Sequence, residues 1–319
     1  MKNTLIKNIA LTIILLITLI SCEKKEENPL SKSEYFLNYH FDEINSDAVF
    51  SFKEKYSKDF LILLNYGFDK LKIIELLKIS SIEYDDLINS LFGSGLIKKT
   101  DNGEFIPSFP IIDANEIKEI KKLSEPIGED VSLIVIDRLQ RIEEAIAMLS
   151  SYSPNSYRLR YFLFSEVLLN KWQLKNIKQN FIKSQAPQRD GKHLYISLIE
   201  GDSSSSKNPK RLLMNIEGKS DRIAFNDLED NGVEYSSINL DDQINFSTEE
   251  TSYLQIIADV IKNDLSDYLN SKRGLFLENY SKSILRETTS FKEYTYWVYQ
   301  FIVIDAVNSL IKHGIITSQ

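Results

Sequence analysis

The residue types that carry out most protein chemistry are sparse in this chain, and the places where they could act are few. One cysteine, Cys22, and three histidines, His40, His193 and His313, stand among 319 residues. A single thiol permits no disulfide within the chain and no cysteine-based metal site. No two histidines are spaced as a helical zinc pair and no H-E-x-x-H is present, so neither a metal nor a cofactor is expected. A serine hydrolase on an α/β scaffold would need a G-x-S-x-G elbow, which is absent. Ser204-Ser-Ser-Lys207 has the spacing of a serine–lysine pair, but it lies in a serine-rich loop before Asn208-Pro209. Adjacent carboxylates occur at Asp85/Asp86, Glu143/Glu144 and Asp241/Asp242, and among 46 acidic side chains they read as solvated charge. These patterns point away from an enzyme.

Charge is distributed unevenly. From Arg158 to Arg211 eleven Lys/Arg face four acidic residues, a local +7 in a chain whose formal total is −8. Within that segment Lys171, Lys175 and Lys178 fall at i, i+4 and i+7, one stripe of a helix, with Trp172 and Phe181 nearby. Two readings stay open. The stripe is a patch for an anionic partner such as an acidic glycan, a lipid headgroup or an acidic protein surface, or it is a solvated face that complements the acidic remainder.

The lone cysteine has a telling context. Lys2 and Lys7 precede an unbroken apolar run, Ile9 to Ile20, and the first acid is Glu23. As a helix that run is ~18 Å long at about 1.5 Å per residue, against a hydrocarbon core of ~30 Å. It reads as a secretory signal over 1–21 rather than a span. Leu19-Ile20-Ser21-Cys22 resembles the lipobox of bacterial lipoproteins: an aliphatic residue, a tolerant position, a small residue, then cysteine. That resemblance implies cleavage between Ser21 and Cys22, diacylglycerol on the Cys22 thiol, and attachment to a membrane through two or three acyl chains, palmitate among them. Loss of Lys2 and Lys7 takes the formal charge from −8 to −10. Glu23-Lys-Lys-Glu-Glu27 is similar to the surface-export signal of lipoproteins in the Bacteroidetes group, or is an ordinary polar tether over 22–33. The implied location is the cell envelope: the outer membrane, with surface exposure open.

Around these residues the elements are read from periodicity and breakers. Tyr35 to Phe60 is expected to form one or two helices. Lys70–Lys78 and Ile82–Phe92 read as short helices, with Ser80 or Ser81 as N-cap and Gly93-Ser-Gly95 as terminator. Leu96–Thr100 and Glu104–Ile106 flank Asp101-Asn-Gly103 as a hairpin, and Pro107–Ile112 continues extended. Helix, helix and G-S-G-L-I-K-K-T-D-N-G-E-F-I over residues 69–112 resemble the winged helix-turn-helix family of bacterial regulators. In that family the second helix reads DNA, yet Ile82 to Phe92 contains Glu83, Asp85 and Asp86 and no Lys or Arg, so nucleic acid is not expected as a partner.

Val131 to Leu149 predicts a helix with core face 131, 135, 139, 142, 146 and 149, followed by a second helix from about Tyr157. Leu194–Ile199, Leu212–Ile216, Arg222–Phe225 and Val233–Ile238 read as a small antiparallel meander. The last helix, near Phe291–His313, is apolar almost all round and so buried. The expected fold is α+β and mainly helical: a winged-helix-like module over 34–114, a helical connector over 115–185, and an α+β domain over 186–319 with its sheet packed on C-terminal helices. Non-catalytic binding or assembly is the expected role. The alternative is a winged-helix DNA-binding regulator whose N-terminus is an uncleaved anchor.

Overall fold

Short polar side chains set the starts of the second and third helices. In the computed structural model, which describes residues 28–31, 33–41, 52–150, 157–201, 211–216, 219–224 and 243–317, helix α1 spans Ser57–Asn65. Helix α2 (Lys70–Leu77) begins at Asp69, whose side chain accepts from the Lys72 amide. Helix α3 (Ser81–Gly93) begins at Ser80, which forms a reciprocal capping box with Glu83. Ile73 and Leu77 of α2, Leu87, Ile88 and Leu91 of α3, and Phe60–Leu64 of α1 are all buried. Strands β2 (Ile97–Lys99) and β3 (Phe105–Pro107) then pair antiparallel around Gly103, whose φ of +85° suits glycine in a tight turn. Pro29–Ser31, in the segment expected as a tether, form a single 3-10 turn.

The segment expected to be helical before α1 is instead strand β1 (Glu34–Phe41). It pairs antiparallel along its whole length with β6 (Lys192–Gly201), from Glu34 opposite Gly201 to Phe41 opposite Leu194. The other edge of β6 takes β4 (Ile111–Ile112) in parallel, and its start folds back on β5 (Gln188–Arg189). Leu194 to Ile199 are all buried, a run without alternation in which Ser197 is the one small polar residue. Such a run belongs to a strand covered on both faces, not to a meander with one wet face.

The expected meander is therefore corrected. Strands β7 (Arg211–Ile216) and β8 (Lys219–Ala224) form a separate hairpin, and β9 (Gln243–Phe246) joins β7 in parallel. Val233–Ile238 and Phe225 lie outside the described residues. Strands β1 and β4, from the segment expected as 34–114, pair with β6, from the segment expected as 186–319.

Helices build the rest, and the fold is α+β and mainly helical. Helix α4 (Ala114–Asp137) starts at Asp113, whose carboxylate accepts from the Asn115 and Glu116 amides. The Glu200 carboxylate on β6 accepts from the Ala114 amide at 2.7 Å, adding negative charge at the positive end of the helix. The continuous helix expected over 131–149 is broken at Arg138, and α5 (Leu139–Ile146) follows. Its core face nonetheless stands, with Val131, Val135, Ile142, Ile146 and Leu149 all buried and Leu139 packed beside them.

Helix α6 (Tyr157–Phe162) runs into a π-helical turn (Leu163–Leu169), then α7 (Lys171–Ile177) and a second π-helical turn (Lys178–Ile182). Helices α8 (Thr248–Asp259), α9 (Lys262–Ser271) and α10 (Arg273–Lys282) lead to the long α11 (Phe291–Lys312). Helix α11 is buried on nearly every side and crosses α4 closely. A Cβ on Gly128 would come within 2.6 Å of Asp305 Cβ and 2.9 Å of the Ala306 amide. Ser124, Gly128 and Ser132 give α4 the small face that this approach requires. Among the described residues no helix is long and apolar enough to cross a membrane.

Candidate functional site

The lysine stripe lies where two helical segments meet at Asn170. Lys171 and Lys175 are on α7, and Lys178 opens the second π-helical turn. Lys175 is exposed, whereas Lys171 and Lys178 are half-buried. The Lys171 ammonium sits 5.4 Å from the centroid of Trp172, and Lys178 sits 5.5 Å from that of Tyr195. Tyr195 in turn stacks on Tyr296 of α11 at 3.9 Å with 4° between planes, and His40, opposite Tyr195 on β1, flanks Tyr296 at 6.0 Å. Two of the three lysines are thus drawn onto aromatic faces of their own molecule, contacts of ~0.5–1 kcal/mol each at partly exposed sites.

Beneath the stripe the chain buries a carboxyl. Every residue from Leu163 to Leu169 is buried, and Glu166 among them is 4% exposed. Its hydrogen bond comes from the Asn170 side-chain amide at 3.1 Å. Burial pushes the Glu166 carboxyl up to about 7, while Asn170 and the nearby Lys171 charge oppose that rise. Asn170 itself has φ −114° and ψ −109°, outside helical geometry, and its carbonyl accepts the Leu174 amide that starts α7. Further along, the Asn176 amide donates to Gln173 Oε1 and to Asp259 on α8, each at 2.9 Å. The buried Gln173 Nε2 has no partner among the described residues. Sequence reading placed the lysines but missed the acid. The available signal was a lone carboxylate inside the apolar run Tyr161-Phe-Leu-Phe-Ser-Glu-Val-Leu-Leu169.

A second buried acid has opposite surroundings. Arg189 and Glu293 form a bidentate ion pair at 2.8 and 2.9 Å, each side chain 2% exposed. Arg189 also donates to the carbonyls of Leu194 and Ser108, and Glu293 accepts from the Thr289 hydroxyl at 2.8 Å. The pair ties the β5–β6 turn, the end of the β2–β3 hairpin and the start of α11 together. Asp190 (φ +48°) and Gly191 (φ +75°) form the two-residue turn that aims Arg189 inward. Asp-Gly is a strong hairpin signal that the sequence reading passed over.

Among the described residues, serine, histidine and carboxylate converge between α4 and α11. Ser309 Oγ lies 3.3 Å from His313 Nδ1, and His313 Nε2 lies 3.8 Å from Glu129 Oε1. The Ser309 hydroxyl, however, donates to Glu129 at 2.6 Å and is 2% exposed, and Ser132 lies 2.8 Å from it. This is the chemistry of a helix–helix clasp: the hydroxyl hydrogen points at the carboxylate, and the oxygen is shielded from solvent. Asp305 contributes in the same seam, accepting from the Ser124 hydroxyl at 2.6 Å, with burial raising its carboxyl. His193 Nδ1 lies 2.8 Å from the Ala186 carbonyl, far from any such cluster. Glu143 pairs with Arg160, and Asp85 with Lys70. Among the described residues no three His, Cys, Asp or Glu side chains are grouped to hold a metal ion.

On α3 the outward face presents Ile82, Glu83, Asp85, Asp86, Asn89 and Phe92, all exposed. Phe92 makes an edge contact with Phe105 of the hairpin at 5.8 Å, and Lys99 lies 5.8 Å from that ring. Ser21, Cys22, Ser204–Lys207 and Asp241/Asp242 lie outside the described residues. No protein-family model, curated protein or solved structure matches the chain.

Proposed function

We propose that the protein is a lipid-anchored envelope lipoprotein whose folded part binds or assembles with other macromolecules and does no catalysis. The observation that carries this reading is the chain's one cysteine at the final position of Leu19-Ile20-Ser21-Cys22, directly after a signal-like apolar run. The membrane is then a partner through the lipid on Cys22. Three helices followed by a hairpin, over residues 57–107, make a winged-helix-like module whose exposed helix is acidic and apolar. Phosphate neutralisation needs cations on that helix. With Glu83, Asp85 and Asp86 there instead, and Lys70 held by Asp85 at 2.6 Å, a protein surface suits it better than a duplex.

Intact mass and membrane fractionation in a lipoprotein-processing host test the anchor. Wild type should lose residues 1–21 and gain a lipid mass on Cys22, and Cys22→Ala should leave the membrane fraction. A full-length, unlipidated wild-type chain would refute the reading. It would favour the regulator alternative, which salt-dependent duplex binding by the folded part would then support.

A further inference from the structure

We propose that the bend at residues 163–171 is a proton-operated latch: neutral Glu166 keeps it closed, and loss of its proton to solvent opens it and loosens the lysine-bearing α7. Phe162, Phe164, Val167 and Leu168 are fully buried around the turn, so an ionised carboxyl there would lose its hydration. The turn is π-helical, a geometry rare outside short functional insertions. Asn170 couples the two halves mechanically. Its side chain donates to Glu166, and its carbonyl accepts the Leu174 amide at 2.8 Å. Whatever displaces Glu166 therefore pulls on the residue that starts α7.

The surroundings leave that displacement to the proton. Lys171 is the charged group that bears on Glu166 electrostatically. Arg160 on α6 is engaged with Glu143 and the Ile315 carbonyl. On α8, Glu250 is bound to Ser150 and the Ser247 amide, and Asp259 to Asn176 and Gln255. On α11, Glu293 is held by Arg189 and Asp305 by Ser124, and the Tyr299 hydroxyl donates to the Leu169 carbonyl at 2.6 Å. That last bond anchors the C-terminal end of the turn in either state. Opening is thus directed toward Asn170, toward α7 with Lys171 and Lys175, and toward Lys178 just beyond it. The latch does not depend on where the protein resides.

Hydrogen–deuterium exchange of the intact folded chain tests the latch. After correction for intrinsic exchange, amides of residues 163–174 in wild type should lose roughly tenfold or more in protection between about pH 5.5 and about pH 8.5. In Glu166→Gln, which is neutral at both values, protection should stay constant. Equal protection at both pH values in wild type, or the same loss in Glu166→Gln, would overturn the proposal. If the variant does not fold, carboxyl-carbon NMR titration of wild type decides. A Glu166 resonance that titrates like a solvated carboxylate overturns the latch, and one that titrates in step with the exchange change supports it.

Discussion

Glu293 and Glu166 are buried almost equally, 2% and 4% exposed, yet the chain has equipped them differently. Glu293 meets a guanidinium on two oxygens and a threonine hydroxyl besides. Among the described residues Glu166 meets one side-chain amide, with the Lys171 charge nearby. Burial costs a carboxylate its water in both places, so the partners decide the outcome. At Glu293 they replace the lost solvation and join three parts of the fold. At Glu166 they do not, and the carboxyl responds by holding its proton to about pH 7. One acid therefore behaves as a rivet and the other as a sensor.

The sharpest break of this contrast is at the rivet. Glu293→Ala leaves Arg189 buried without its counter-charge and should cost about 3–5 kcal/mol in denaturant unfolding. Replacing both members, as in Arg189→Met with Glu293→Leu, should recover most of that loss. If the double variant is as unstable as the single one, packing and not charge holds the junction.

Glu166→Gln should act in the opposite direction. The folded carboxyl sits at about 7 against an ordinary value of 4.5. Its raised position costs nothing below the unfolded value, costs progressively more as pH rises through that window, and costs the full amount above about 7. The variant should thus match wild type in acid and exceed it by about 3 kcal/mol in mild alkali. Parallel stability–pH curves for the two proteins would contradict that.

Asn170→Ala should give a smaller effect of the same origin, about 1 kcal/mol of destabilisation, larger below neutrality where the latch is closed and the bond to Glu166 is made. Measuring the variant on both sides of neutrality checks the asymmetry. Lys175→Ala, on the exposed side of α7, should change stability by no more than about 0.5 kcal/mol. Any larger loss would mean that the stripe holds the fold together instead of facing a partner.

Local features were the readable ones. Ser80 as a helix cap, Gly103 in its turn, the buried face of Val131–Leu149 and the buried last helix all follow from spacing of a few residues. The candidate stripe was equally local, since three lysines at i, i+4 and i+7 must share one helix face. Its exposure was not. Lys171 and Lys178 are covered in part by aromatic rings, one of which, Tyr195, comes from a strand that no local pattern brings to α7.

By itself, the amino-acid sequence determined the mainly helical α+β class, the capped start of α3 and the unusual position of its one cysteine, because each depends on neighbours along the chain. Only the tertiary structure decided that β1 is a strand, since its partner β6 lies far downstream and its own residues have no clean period. The tertiary structure also decided which acids are buried and which are paired. Arg189 and Glu293 stand 104 residues apart, and the Glu166 environment is assembled from four helices. Burial and counter-charge are properties of what packs around a residue, and they exist only once distant segments have met.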